Sequence, residues 1–330
     1  MAGIGVKIGN KPPNSILHTP NLFYLRIVTD ITALITSMQS GDRKALARAI
    51  TLVENDLPGA QELLLQINFE KVPPVIGVTG PPGAGKSTLI NALITKFTSA
   101  GERIAVIAID PTSPFTSGSL LGDRLRMPEH FNNPLVFIRS LATRGSLGGL
   151  SAKAIEITDL IRTSGFDRII VETVGVGQSE VEIAGLADIT ILVLVPESGD
   201  DIQALKSGIM EIADIYVINK SDRPGADQFA MNIQHLVHNV HDETQVRMIV
   251  KTVASSNQGL DELMTAIQAL AHSRIDPQKR TLLYAEKAWK LISQSRMKDL
   301  SKQTLTHAIL SEVKTGQFHL YRFCTKYTGQ

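Results

Sequence analysis

The stretch Val75-Ile76-Gly77-Val78-Thr79-Gly80-Pro81-Pro82-Gly83-Ala84-Gly85-Lys86-Ser87-Thr88 decides the fold. Its first five residues are apolar on both faces of an extended chain, as a strand inside a covered parallel sheet requires. Gly80, four residues and then Gly85-Lys86-Ser87 match the phosphate-loop spacing, and the run from Lys86 to about Ala100 reads as a helix that Gly101 ends. The motif needs this strand–turn–helix context to carry weight. Glycines let the backbone curl so that successive N–H groups face one anion, and the following helix adds its positive end. Lys86 would set a cation at the β- and γ-phosphates, and the Ser87 hydroxyl can ligate Mg²⁺. The candidate phosphate-binding residues are Gly80, Pro82, Gly83, Ala84, Gly85, Lys86, Ser87 and Thr88.

Working outward, short apolar runs alternate with helical segments from Val75 to about Ala271. The strand candidates after the first are Ile104 to Ile109, Val136 to Ile138, Arg168 to Glu172, Ile189 to Val195, Ile215 to Asn219 and Met248 to Val253. Helices are expected near Ser151 to Thr163, Ile202 to Ile212, Gln228 to Val240 and Leu260 to Ala271. That alternation predicts an α/β fold, doubly wound around a mainly parallel sheet, with helical N- and C-terminal extensions; it does not give the strand order. Residues 1 to about 22 read as a poorly ordered arm. The pattern from Thr29 to about Asn68 is helical, with Asp42 the expected N-cap of Arg43 to Asn55, and must pack outside the sheet. After Pro277 the chain is helical again, most clearly from Leu282 to Leu300, around the single tryptophan, Trp289. The expected division is 1–70, an arm and helical extension; 71–272, the nucleotide domain; and 273–330, a helical extension with a possible dimerisation role.

Composition narrows the partners. With 33 basic and 32 acidic residues and a formal charge of +1, binding a nucleic acid by bulk electrostatics is not expected. One cysteine, Cys324, rules out an internal disulfide and a Cys-based zinc site. No apolar run is long enough to cross a bilayer, and the N-terminus lacks a signal-peptide pattern, so the expectation is a cytoplasmic protein with no membrane insertion.

Asn219-Lys220-Ser221-Asp222 follows the strand from Ile215, at the edge where such a sheet binds its ligand. The Asp222 carboxylate can accept guanine N1–H and N2–H₂ together, a pairing adenine cannot offer. Ala254 and Ser255, at the end of the last strand, could present backbone N–H groups to guanine O6. For the metal, which prefers oxygen ligands, Asp110 and Glu172 close strands at the same edge, and Asp123 lies in the loop Ser113 to Met127. Glu172 heads Glu172-Thr173-Val174-Gly175, where many GTPases carry Asp-x-x-Gly, and could also position the attacking water. Asp123, Asp200 and Asp201, judged as loop acids alone, are read more simply as solvated charges. The loops Val174 to Glu180 and Gly199 to Lys206 look like moving parts, with the Gly175 N–H placed to sense the γ-phosphate.

These residues resemble one family, the MeaB-like, or ArgK-like, GTPases associated with methylmalonyl-CoA mutase. The matching runs are Gly41 to Ile50, the phosphate loop, Ile109 to Ser113, Gly118 to Met127, Gly145 to Gly149 and, most specifically, Val171 to Glu180. The resemblance spans about residues 30 to 295. It implies a GTP-hydrolysing chaperone that gates cofactor loading of an adenosylcobalamin-dependent acyl-CoA mutase and protects it, working as a homodimer with GTP, GDP and Mg²⁺. By position it makes Asp110, Asp123 and Glu172 Mg²⁺-region residues; with Ser87 these are the expected metal set, and Lys86, Glu172 and Asp123 are the expected catalytic set. It also makes the loop near Asp123 switch I, the loop after Glu172 switch II, and Gly199 to Lys206 a third switch facing the mutase. Pro114-Phe115-Thr116-Ser117 and the chain after about Lys298 depart from the family pattern.

Two other functions fit a phosphate loop. A transport-associated ATPase or kinase of the lysine/arginine/ornithine uptake type would leave Asp222 nothing to pair with in ATP. A nickel-insertion GTPase would need a metal cluster, for which only His235, His238 and His241 on one polar helix offer a spacing, and surface histidines are the simpler reading.

Overall fold

The computed structural model describes residues 30–69, 72–110, 127–142, 152–173, 183–199, 209–240, 247–272, 277–297, 299–316 and 318–328. The arm at residues 1–22 and the helix expected from Ile202 lie outside these, apart from the latter's last turn.

All seven expected strands are present: β1 (Val75–Thr79), β2 (Ile104–Asp110), β3 (Val136–Ala142), β4 (Arg168–Thr173), β5 (Ile189–Leu194), β6 (Ile215–Ile218) and β7 (Met248–Lys251). They form one sheet in the order β3-β2-β4-β1-β5-β6-β7, every pair parallel. β1 therefore lies between β4 and β5, where the chain stops building one side of the sheet and starts the other. In open parallel sheets that switch point, at the C-terminal strand ends, is the ligand crevice.

Side chains of β1 alternate between two cores. Ile76 and Val78 pack with α4 (Lys86–Ser99) and with the helix Leu260–His272, while Val75 packs with α1 (Ile31–Gln39), α2 (Arg43–Glu54) and α3 (Ala60–Gln66). α5 (Ala152–Arg162) shares the second face, and α7 (Ala226–Val240), after the short α6 (Ile209–Ile212), covers β5 and β6. Asp42 caps α2 as expected, accepting from the N–H groups of Lys44 and Ala45. Asp30 does the same for α1 through Ala33, which the sequence reading did not single out. The apolar face of α2, with Leu46, Ala49, Ile50 and Val53 nearly fully buried, is what holds the N-terminal helices to the sheet.

The Leu260–His272 helix is α8, and beyond it come α9 (Pro277–Arg296), α10 (Lys302–Lys314) and α11 (Leu320–Thr328). α9 starts at its proline, as a helix can, because the missing N–H falls where no intrahelical partner exists. It is oriented against the usual rule. Lys287 is buried, with Nζ 3.4 Å from Asp159 on α5, whereas Leu282, Trp289 and Ile292 face outward at 68%, 71% and 52% exposure. Burial raises the Asp159 pKa above the ordinary carboxylate value, and Lys287 and Arg162 oppose that rise. Arg162 in turn donates to Asp188 at 2.6 Å, and Asp188 accepts from the Val75 N–H at 2.8 Å, so a charged network links α9 to the foot of β1.

Candidate nucleotide site

β1 ends at Thr79, and Gly80 follows with φ +139° in a space where a Cβ would lie 2.1 Å from the Val193 carbonyl oxygen. Only glycine permits that close approach of the loop to β5. Gly85, at φ +87°, admits the Asn219 side chain, whose Nδ2 would be 2.4 Å from any Cβ there. α4 then starts at Lys86 with its N-terminal N–H groups at the loop. Lys86 is 9% exposed, and Nζ donates to the carbonyls of Gly80 at 2.7 Å and Pro81 at 3.1 Å. The cation is thus held at the loop that the sequence assigns to phosphate. Pro82, Gly83 and Ala84 complete the turn, and Thr88 lies in the first turn of α4.

At one end of the loop the Ser87 hydroxyl donates to Glu172 Oε1 at 2.6 Å. Glu172, 2% exposed, is in register with Val78 on the neighbouring strand, and Thr173 Oγ1 donates to Thr79 Oγ1 at 3.2 Å. Asp110 closes β2 one position beyond Ile109, which pairs with Thr173, so its backbone lies at the same sheet edge. Two hard oxygens, Ser87 Oγ and Glu172 Oε1, already meet beside the phosphate loop, and such a donor set suits Mg²⁺. Among the described residues no group of three or more His, Cys, Asp or Glu side chains could hold a metal ion. A magnesium ion here would rely on these two residues, phosphate oxygens and waters, as this ion usually does. Asp123, Gly175 and the loop 200–206 lie outside the described residues.

At the other end Asn219 is 2% exposed, with both its side-chain nitrogen and its side-chain oxygen bonded. Its Nδ2 donates to the Ala84 carbonyl at 2.9 Å, and its Oδ1 accepts from Thr252 Oγ1 and the Ala254 N–H, both at 3.1 Å. Lys220 takes a left-handed backbone, φ +55°, and reaches Gly83 O at 2.8 Å. The Ser221 N–H bonds Thr252 O at 3.0 Å, which leaves Asp222 exposed at the tip. The base motif and the phosphate loop are therefore joined by two side chains before any ligand arrives. The Ala254 amide, one of the two expected to serve guanine O6, is occupied by Asn219.

Three polar residues here escaped the sequence reading. Thr252 precedes the expected Val253-Ala254-Ser255 contact and buttresses Asn219. Arg223, directly after Asp222, pairs with Glu197 on the turn Pro196–Gly199 after β5. That hydrogen bond, followed by a backbone bond and the charges of Arg223 and Lys220, holds the Glu197 carboxyl below the usual range. No sequence spacing announces a pair between two loops that follow different strands. His235 is exposed on α7, while the side chain of His238 and all of His241 lie outside the described residues.

The comparisons with known proteins agree with this geometry. The family profile "Methylmalonyl Co-A mutase-associated GTPase MeaB" matches residues 46–308. A Pyrococcus abyssi protein provisionally named a GTPase is 51% identical over 243 residues, covering 72% of this chain and 75% of that one. The GTPase ArgK of Escherichia coli is 40% identical over 245 residues, covering 71% and 73% respectively. A crystal structure of an LAO/AO transport system kinase superposes with a TM-score of 0.61 at 28% identity, over 91% of this chain and 96% of that one.

Proposed function

This chain belongs to the methylmalonyl Co-A mutase-associated GTPase family MeaB and is a GTPase, and from that premise we propose that it reports its nucleotide state to an adenosylcobalamin-dependent acyl-CoA mutase. In this reading GTP hydrolysis gates cofactor loading of the mutase and limits its inactivation. The observation that carries the guanine reading is the double tie of Asn219 to Ala84 and Lys220 to Gly83, which presents Asp222 at a fixed place beside the phosphate loop. The mutase part is supported by the family description, whose match covers the whole nucleotide domain and the N-terminal part of the helices after it.

The residues divide the work. Asp222 accepts guanine N1–H and N2–H₂, and Ser255 serves O6. Gly80 to Thr88 cradle the phosphates, and Lys86 exchanges its two loop carbonyls for β- and γ-oxygens. Water attacks the γ-phosphorus in line, a P–O bond forms, and the bond to the β–γ bridging oxygen breaks to give GDP and phosphate. Glu172 orients that water, and Ser87, Glu172, Asp110 and Asp123 are the residues that would hold Mg²⁺. Bound Mg²⁺ would supply charge neutralisation at the β- and γ-oxygens. Gly175 senses the γ-phosphate, and the loop from Gly199 to Lys206 faces the mutase.

The homodimer and the division at 1–70, 71–272 and 273–330 belong to the same proposal, and the outward Leu282, Trp289 and Ile292 support a covered C-terminal face. No helix among the described residues is long and apolar enough to cross a membrane, and a cytoplasmic location is proposed with the rest. The test is capture from cell extract with the chain loaded with a non-hydrolysable GTP analogue, GDP or nothing. State-dependent recovery of an acyl-CoA mutase is expected. Its absence, with GTP binding intact, would overturn the mutase reading.

A further inference from the structure

Asp222, the one acid proposed to read the base, sits in the chain between two cations, Lys220 on one side and Arg223 directly on the other. The loop turns tightly there, because the Arg223 N–H bonds back to the Lys220 carbonyl at 3.0 Å. Lys220 is committed elsewhere, to Gly83 O. Arg223 is the residue with a choice. A guanidinium offers two parallel N–H donors in a planar fork that matches a carboxylate. Guanine offers Asp222 the same pattern, N1–H beside N2–H₂. An arginine free to fold back on its neighbour would therefore compete with the base for the same two oxygens. In the structure it does not, because its Nη1 is bonded to Glu197 Oε1, from the turn Pro196–Gly199 that follows β5, the strand next to β6.

We infer that Glu197 is a specificity-supporting residue of the GTPase: by holding Arg223, it keeps the Asp222 carboxylate open for guanine. The inference rests on the reading of Asp222 as the base-binding acid. Glu197 touches no nucleotide in this scheme and acts only through Arg223. Both partners are about half exposed, at 50% and 46%, so their pairing adds little to folding and its purpose lies in where it leaves the guanidinium. An exposed ion pair of this kind can shift an equilibrium by a small factor, which sets the size of the effect.

The experiment is calorimetric GDP titration of the full chain and of Glu197→Ala, Arg223→Ala, the double variant and Asp222→Ala. Glu197→Ala is expected to weaken GDP by roughly 2- to 5-fold, the range an exposed pair supplies. Arg223→Ala alone should bind as the unaltered chain does, and the double variant should recover that affinity, since with no arginine there is nothing to restrain. If Arg223→Ala weakens GDP as much as Glu197→Ala, or the double variant stays weak, the pair serves to brace the loop and the proposal is overturned. Weak binding by Asp222→Ala beside undiminished binding by Glu197→Ala overturns this proposal alone. Undiminished binding by Asp222→Ala overturns the base reading and this inference with it.

Discussion

At the proposed base end of the site Asn219 is buried and carries bonds to Ala84, Thr252 and Ala254, while at the proposed metal end Ser87 and Glu172 are bonded to each other. A guanine can dock at the first without breaking a bond already made. The second is incomplete: Ser87 Oγ and Glu172 Oε1 are two oxygens, and phosphate and water would have to supply the rest that Mg²⁺ takes. The two ends thus differ in readiness, and readiness suits different duties. Fixed donors and acceptors give affinity and choice of base, whereas a site that only phosphate and water complete gives a place where occupancy is felt.

The largest expected effect comes from breaking the prepared end. Asn219→Ala removes the shared partner of three buried groups and should cost about 3 kcal/mol or more in denaturant unfolding, since each buried group left unpaired costs about 1–3 kcal/mol. It should weaken GDP as well. Asp222→Ala sharpens the contrast, because Asp222 is exposed: unfolding should move by no more than about 0.5 kcal/mol. GDP affinity should nevertheless fall roughly 10- to 100-fold by calorimetry, the worth of hydrogen bonds to a charged acceptor. If Asn219→Ala leaves stability untouched, the base end is not prepared in the sense argued.

At the other end, Glu172→Gln keeps an oxygen to accept from Ser87, so the fold should hold while single-turnover GTP hydrolysis slows by about 100-fold or more, as removing a general base does. Ser87→Ala is a smaller change to the protein, one hydrogen bond of about 0.5–1.5 kcal/mol. Its signature is binding: the tightening of nucleotide by Mg²⁺, measured against EDTA, should vanish, whereas metal-free GDP binding remains. Equal losses with and without Mg²⁺ would refute the assignment of Ser87 to the metal end.

The smallest effect lies outside both ends and calibrates them. Asp159 has its pKa raised in the folded protein, chiefly by burial. The folded state then holds the proton to higher pH than the unfolded chain, so this group's contribution is fully present below pH 3.8 and declines as pH rises through the raised value. Asp159→Asn should abolish that downward slope just above pH 3.8 in thermal melts at stepped pH, and GDP affinity should not change.

How much of this the sequence could show depends on what fixes each feature. Apolar runs located all seven strands: β1, β5 and β6 are buried along their whole length, and β7, only partly buried, still reads Met248-Ile249-Val250. β3 was expected to stop at Ile138 and continues to Ala142, paired with β2 as far as Asp110; within it Arg139 meets Glu54 on α2, a partner no local window contains. Strand order was unreadable, since periodicity reports a strand's faces and not its neighbours. The phosphate loop and Asn219 to Asp222 were legible as motifs, while Thr252 and the Glu197–Arg223 pair arise only where strand ends converge. The buried Lys287 of α9 ran against composition altogether, because a lysine is ordinarily placed in water and a tryptophan inside.

That inversion makes the molecule its own optical instrument. Trp289 is the only indole in the chain and stands on the solvent side of α9, 71% exposed. Its emission should begin red-shifted and easily quenched by iodide. A second copy or any other body laid over that face would move the spectrum to the blue, with no label attached and no second indole to subtract.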